Sequence, residues 1–460
     1  MESSTVATDS NRLWIKQPLA CWTGNDQDAS NGALIEGNTI VELVGAGQEP
    51  KLSYSKQFDA SSVVLLPGLI NCHHHFYQTL TRAVPAALNK ELFPWLQTLY
   101  PIWANLDEQA IYLSTQLALA ELLLSGCTTA VDHHYIFSKS LANATDIQVA
   151  AAKTTGARVV LTRGSMSLGR SAGGLPPDSV VQTDDQILAE SERLIGQFHD
   201  PSDDALCQIA LAPCSPFSVT PELMKQTARL AAQQQVLLHT HLAETEDENQ
   251  FCLRQFGLRP LDYLESVGWL HQQTWLAHGI HFNADEIKRL GDAQVGISHC
   301  PSSNMVLASG ICPTQELTAA GAHVGLGVDG SASNDGSNLI QEARQAMLLG
   351  KLKYGAANFS HHDALQMATA GGASLLHRPK LGSIAVGQQA DLALFGLDEA
   401  RFSGAGDPVA ALLLCGSHKA EHVMVAGQWQ VLHGQCCQLD LEALRVAHHL
   451  VAQQLLQKAQ

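Results

Sequence analysis

The chain has 460 residues, 45% of them apolar and 15% charged, and a formal net charge of −17. That length can bury a large core, and the composition is that of a globular chain without low-complexity tracts. The acidic balance speaks against a nucleic-acid partner, because phosphates would be repelled in the absence of a basic patch, and no apolar run is long enough to span a membrane.

Met1 to Asn11 is polar and lacks the charged-then-apolar order of a signal peptide. Residues 12–61 then read as short strands and turns (Gly32 to Ile35, Gly37-Asn38, Ile40 to Val44) without a helix. From Val63 to Asp329, strand-like runs alternate with helical ones. The predicted strands are residues 63–66, 127–132, 158–162, 207–212, 236–240, 274–277, 295–298 and 324–328. Helix starts are marked by Thr220-Pro221, an N-cap before proline, and by Asn283 with Glu286, a capping box. Eight β-then-α units predict an α/β fold: a (β/α)8 TIM barrel over residues 63–378, with its active site at the C-terminal strand ends. The β-rich flanks, 1–62 and 379–460, are expected to pair into one small β-sandwich, the second ending in a helix between Leu439 and Gln460. Two long connections, Phe76 to Asp107 with its aromatics and the glycine-rich Gly164 to Pro177, are expected to hang over the barrel mouth. The 11 cysteines lie scattered without paired metal spacing, which fits a reduced, cytoplasmic protein.

The chemistry concentrates at the predicted strand ends. In Cys72-His73-His74-His75, extended backbone puts His73 and His75 on one side and His74 on the other. Strand 5 runs into His239-Thr240-His241-Leu242-Ala243-Glu244, strand 6 ends at His278, and strand 8 ends at Asp329. Four strands thereby bring imidazoles and carboxylates to one rim, the make-up of a metal site. His241 sits at the very end of strand 5, whereas His239 lies one layer deeper. His133 or His134, after strand 2, could still reach the mouth. No lysine or arginine occurs between Arg193 and Lys225, so strand 4 cannot bridge two metals. Three histidines and Asp329 suit a single Zn²⁺, and Fe²⁺ fits the same ligand types. Trp95 and Tyr100 could either cover a planar ring or pack beneath their loop.

These motifs resemble the amidohydrolase superfamily over nearly the whole chain. The matching pieces are Pro67-Gly68 before His-x-His, His241-Leu242-Ala243-Glu244, His278, His299-Cys300-Pro301-Ser302-Ser303-Asn304, Asp329, and Gly382 to Asp391. The pattern is similar to its mononuclear aminohydrolases, which deaminate purines, pterins and triazines. Within that branch, His74 to Arg82, Phe93-Pro94-Trp95-Leu96, Leu99-Tyr100-Pro101 and Leu161 to Leu168 most resemble the 8-oxoguanine deaminases. The resemblance implies that His73, His75, His241 and Asp329 hold the metal and that Gln78 reads the amide-like edge of a base. In the mechanism it implies, Asp329 takes a proton from water, His278 orients the nucleophile and Glu244 shuttles a proton to the ring. The expected reaction is hydrolysis of the free base 8-oxoguanine to urate and ammonia. Isoxanthopterin, guanine, isocytosine or a hydroxytriazine are the alternatives, and a non-catalytic scaffold is the rival of a different class. One departure bears on the choice: guanine deaminases carry an Arg-Phe pair after strand 4, where this chain has Cys214-Ser215-Pro216-Phe217. The expected partners are a small heterocycle and further copies of the chain, with no nucleic acid and no membrane.

Overall fold

The computed structural model describes residues 11–138 and 141–459; the polar stretch Met1 to Ser10 lies outside them. Eight parallel strands close into a barrel: β1 (Leu69–Asn71), β2 (Cys127–His134), β3 (Arg158–Ser165), β4 (Cys207–Pro213), β5 (Leu238–Leu242), β6 (Thr274–His278), β7 (Gly296–His299) and β8 (His323–Leu326). The ring closes where Leu326 of β8 pairs with Asn71 of β1. Helices lie between successive strands, and their starts follow the sequence signals. Thr220 accepts the Leu223 N–H at 3.2 Å ahead of helix Pro221–Gln234. Asn283 and Glu286 exchange both capping-box bonds, at 2.8 and 2.9 Å, before helix Ala284–Asp292.

The first barrel strand differs from the expectation. Val63–Pro67 pairs antiparallel with Leu392–Gly396 and parallel with Ala20–Cys21, so it belongs to a six-stranded flanking sheet. The barrel takes up the chain only at Leu69. The crossing runs through Gly68, where a Cβ would sit 2.2 Å from the Thr128 hydroxyl. Apolar residues continue on both sides of this crossing, so periodicity alone does not show it. β5 also starts later than expected. Gln235 adopts a left-handed φ of 55° and the Val236 N–H returns to Ala231 O, so the preceding helix is still closing when the apolar run begins. β8 stops earlier, because the Val328 N–H is taken by the Asn71 side chain at 2.9 Å instead of a neighbouring strand.

A four-stranded sheet (Arg12–Lys16, Gly32–Glu36, Thr39–Leu43, Lys56–Asp59) faces the six-stranded one. Ile15, Ile35, Leu65, Leu392 and Met424 from the two sheets form one buried core, the packing of a small sandwich. The tail forms helix Leu441–Lys458. Its Val451 and Leu455 join a buried cluster that contains Tyr77, Trp95 and Trp103.

Candidate active site

The rim is built from strand ends. Beyond β1, His73 and His75 turn inward. His74 turns away, bonding Ser337 Oγ at 2.8 Å through Nε2 and accepting the His75 N–H at Nδ1. Three rim positions that are not glycine take left-handed backbone angles: Ala243 (φ 54°), His278 (φ 73°) and Asp329 (φ 59°). Such angles cost energy and persist where surrounding contacts enforce them, often at functional sites. Two of those contacts come from Glu248, whose carboxylate accepts the Ala243 and Glu244 N–H groups at 3.0 and 2.9 Å.

The hydrogen bonds on the outer side of each ring set what the inner side can do. His75 Nδ1 donates to His133 O at 2.7 Å, and His241 Nδ1 donates to Cys214 O at 2.6 Å. His239 Nδ1 donates to Trp275 O at 2.9 Å, so its Nε2 must accept the Nδ1–H of His73 at 2.8 Å. Each of His73, His75 and His241 therefore turns an Nε2 lone pair inward. Those of His75 and His241 are 3.2 Å apart, and Asp329 Oδ1 lies 3.2 and 3.3 Å from those of His73 and His75. His73 Nε2 is buried without any hydrogen-bond donor. Burial and the neighbouring rings hold His241 down, to about 3, whereas Asp329 raises His75 against its burial. Ligand atoms of His73, His75, His133 and His241 lie close enough together to hold a cation, as do those of His73, His278 and Asp329, and such nitrogen and oxygen donors suit zinc.

The other side of Asp329 faces the predicted acid-base residues. Ser303 donates to Asp329 Oδ2 at 2.6 Å, and the Gly330 N–H donates to Oδ1 at 2.7 Å. His278 donates its Nδ1–H to Asn304 Oδ1 at 2.9 Å, leaving Nε2 as an acceptor 3.5 Å from Glu244 Oε2 and 3.9 Å from Asp329 Oδ2. Burial, then the nearby Asp329 charge, pushes the Glu244 carboxyl up to about 8. Glu244 thus carries its proton at neutral pH, before any metal is added.

These groups floor a small cavity. Gln78, Trp95 and Tyr100 all line it, together with Tyr135, Cys214 and Phe217. Gln78 Oε1 and the Tyr100 hydroxyl are buried without a partner. Trp95 is tied by its Nε1 to Ala332 O at 3.3 Å, in the loop that follows Asp329. The two long connections part company here. The first supplies the aromatic wall, whereas no residue of Gly164 to Pro177 lines the cavity; Met166 and Leu175 instead pack into the cluster behind it. The Cys214 thiol is pushed up to about 12 by burial, which removes any nucleophilic thiolate.

Sequence reasoning left several contributors without a role. Ser303 and Asn304 stand in a matched motif, but nothing in their spacing shows that they hold Asp329 and His278. Glu248 reads as an ordinary acidic residue in a first helical turn. His133 stacks on His241 with ring centroids 4.8 Å apart, and its Nδ1 lacks a partner.

Residues 64–429 match the family model described as the Amidohydrolase family. The chain belongs to the amidohydrolase family. It is 60% identical over 446 residues, 97% of this chain and 99% of the relative, to the 8-oxoguanine deaminase of Pseudomonas aeruginosa. An isoxanthopterin deaminase from an unknown prokaryotic organism is 33% identical, over 96% of this chain and 97% of its own. Among solved structures, the atrazine chlorohydrolase of Arthrobacter aurescens TC1, complexed with zinc, superposes with a TM-score of 0.90 at 32% identity. That match covers 96% of this amidohydrolase and 100% of the other chain.

Proposed function

We propose that this amidohydrolase is a zinc-dependent deaminase that hydrolyses the free base 8-oxoguanine to urate and ammonia. The observation that carries the reaction type is the pairing, across one small cavity, of a cation-demanding cluster with a buried carboxyl group, Glu244. His73, His75, His241 and Asp329 would hold the metal. Zinc held there would lower the pKa of water to about 7 and so would supply a nucleophile at neutral pH.

The chain's own residues do the rest. Asp329, its Oδ2 oriented by Ser303, accepts the proton of the attacking water. His278, with Nε2 turned toward Glu244 and Asp329, orients that water through an accepted hydrogen bond. Glu244 gives its proton to the ring nitrogen beside the amine-bearing carbon, making that carbon electrophilic. A C–O bond forms, the exocyclic amine takes the water-derived proton from Asp329, and the C–N bond breaks to release ammonia as the new hydroxyl returns a proton to Glu244 and closes to the carbonyl.

The substrate reading is supported by the 60% identical relative and by the cavity wall. None of the lining residues is a lysine or arginine, so nothing there would neutralise a phosphate, and a free base fits better than a nucleotide. The unpartnered Gln78 amide oxygen faces where a lactam-like edge would bind. Trp95 and Tyr100 offer a planar wall. The segment after β4, Cys214-Ser215-Pro216-Phe217, lacks the arginine of the Arg-Phe pair of guanine deaminases, which disfavours guanine. A site that hydrogen-bonds an 8-oxo group leaves polar partners unpaired with guanine, which discriminates strongly.

We further place the enzyme in the cytoplasm as a homo-oligomer. Unpaired cysteines support the first. Leu348 and Leu352, exposed one turn apart on helix Leu339–Tyr354, support the second, which light scattering reads directly. The substrate is tested by specificity constants on the zinc-loaded protein. 8-Oxoguanine should exceed guanine, isocytosine and isoxanthopterin; a tenfold preference for isoxanthopterin or a hydroxytriazine would overturn the choice.

A further inference from the structure

Gln78 sits in a six-residue 3₁₀ turn, Phe76–Thr81, and every residue of it is buried. Turns of this type have poor hydrogen-bond geometry and are seldom stable at such length alone. The residue before it, His75, makes no side-chain cap. The turn is therefore held from outside. Trp103 Nε1 donates to Thr81 Oγ1 at 3.1 Å, and Thr81 Oγ1 donates to Gln78 O at 3.2 Å. Thr79 uses its one hydroxyl hydrogen on Phe76 O at 3.0 Å. Its oxygen must then accept from His448 Nε2, 3.0 Å away on the C-terminal helix. Burial, then Arg82, holds the His448 ring down to about 4, so the neutral ring carries its hydrogen on Nε2.

Gln78 has little slack. A Cβ added at Gly330 would stand 1.9 Å from its Oε1, so the amide lies against the backbone of the loop that carries Asp329. Neighbouring side chains in one turn thus face opposite ways: Gln78 lines the cavity and Thr79 meets the C-terminal helix. That helix is docked independently of His448, by buried Leu444, Val451 and Leu455 and by the Lys458–Asp107 ion pair at 3.0 Å.

We infer that His448 is a positioning residue, fixing through Thr79 the turn that aims Gln78 at the substrate. The C-terminal helix, remote from the metal ligands in sequence, thereby becomes part of substrate recognition. This rests on the proposal that Gln78 contacts the heterocycle, and the test separates the two.

Steady-state kinetics and zinc content are measured on the full-length, zinc-loaded enzyme. One hydrogen bond contributes a net change of about two- to tenfold in an equilibrium. His448→Ala should raise KM by about that factor, with kcat changed less than about twofold and zinc retained. His448→Gln, whose amide nitrogen can replace Nε2–H, should restore KM. Thr79→Val, which removes the hydroxyl without changing volume, should reproduce His448→Ala and serves if that variant folds poorly. In a Gln78→Ala background, His448→Ala should add nothing. If Gln78→Ala raises KM but His448→Ala and Thr79→Val do not, the positioning role is wrong and Gln78 keeps its own. An equal His448→Ala penalty with and without Gln78 also overturns it. If Gln78→Ala leaves KM unchanged, the substrate contact itself fails, and the inference with it.

Discussion

Glu248 offers a prediction whose size follows from the geometry. Its two carboxylate oxygens accept the N–H groups of Ala243 and Glu244 at 3.0 and 2.9 Å, holding the left-handed turn that presents Glu244. Burial pushes this carboxyl from 4.5 up to about 7, the two N–H bonds pulling against it. The folded state therefore binds a proton that the unfolded chain has released between those values. The corresponding stability is present in full below pH 4.5 and is lost as pH rises through 7, by about 3 kcal/mol in total. Glu248→Gln does not titrate. Its amide presents a single acceptor oxygen, so one buried N–H is orphaned at a pH-independent cost of about 1–3 kcal/mol. Denaturant unfolding of both proteins from pH 4.5 to 8 gives the difference directly. Making both in a Glu244→Gln background prevents a neighbouring carboxyl from titrating alongside. The variant should be the less stable at pH 4.5 and should gain about 3 kcal/mol on the parent by pH 8. A difference independent of pH, or one that grows against the variant as pH rises, would refute the reasoning.

Zinc should bind at one equivalent per chain after exhaustive dialysis, and His73→Ala, His75→Ala and His241→Ala should each lose metal and activity together, as read by metal analysis beside ammonia release. Glu244→Gln should retain zinc and lose turnover by about 10²–10⁴-fold, the range of a general acid/base. Near-normal turnover would remove Glu244 from the mechanism. Ser303→Ala should also keep its zinc but lower kcat, since Asp329 Oδ2 would lose its 2.6 Å donor; an unchanged kcat would show that this hydrogen bond does not orient the base.

The barrel and its rim were legible because both depend on local patterns. Side chains alternate along extended backbone, so His73 and His75 had to share a facing, and strand ends in a parallel barrel converge wherever the intervening sequence leads. The first strand was misplaced because residues 63–70 are apolar on both sides of Gly68, and pairing partners distant in sequence, Leu392–Gly396 and Ala20–Cys21, draw Val63–Pro67 out of the barrel. The same limit hid Glu248, Ser303 and Asn304. Ser303 and Asn304 each act through a hydrogen bond to a residue that is otherwise identified, and Glu248 through two backbone N–H groups; neither residue type nor spacing encodes which amide, imidazole or carboxylate they will meet. The connection from Gly164 to Pro177 was expected over the barrel mouth from its length and glycines; Met166 and Leu175 pack it into the cluster behind the cavity wall.

The central claim is hydrolytic removal of the exocyclic amine of 8-oxoguanine, and isotope-labelled water tests it most directly. Zinc-loaded protein, 8-oxoguanine and H₂¹⁸O should yield ammonium and urate in equal amounts, with one ¹⁸O per urate at the carbon that bore the amine. Absence of ammonium and urate, with zinc bound and the protein folded, would contradict the account.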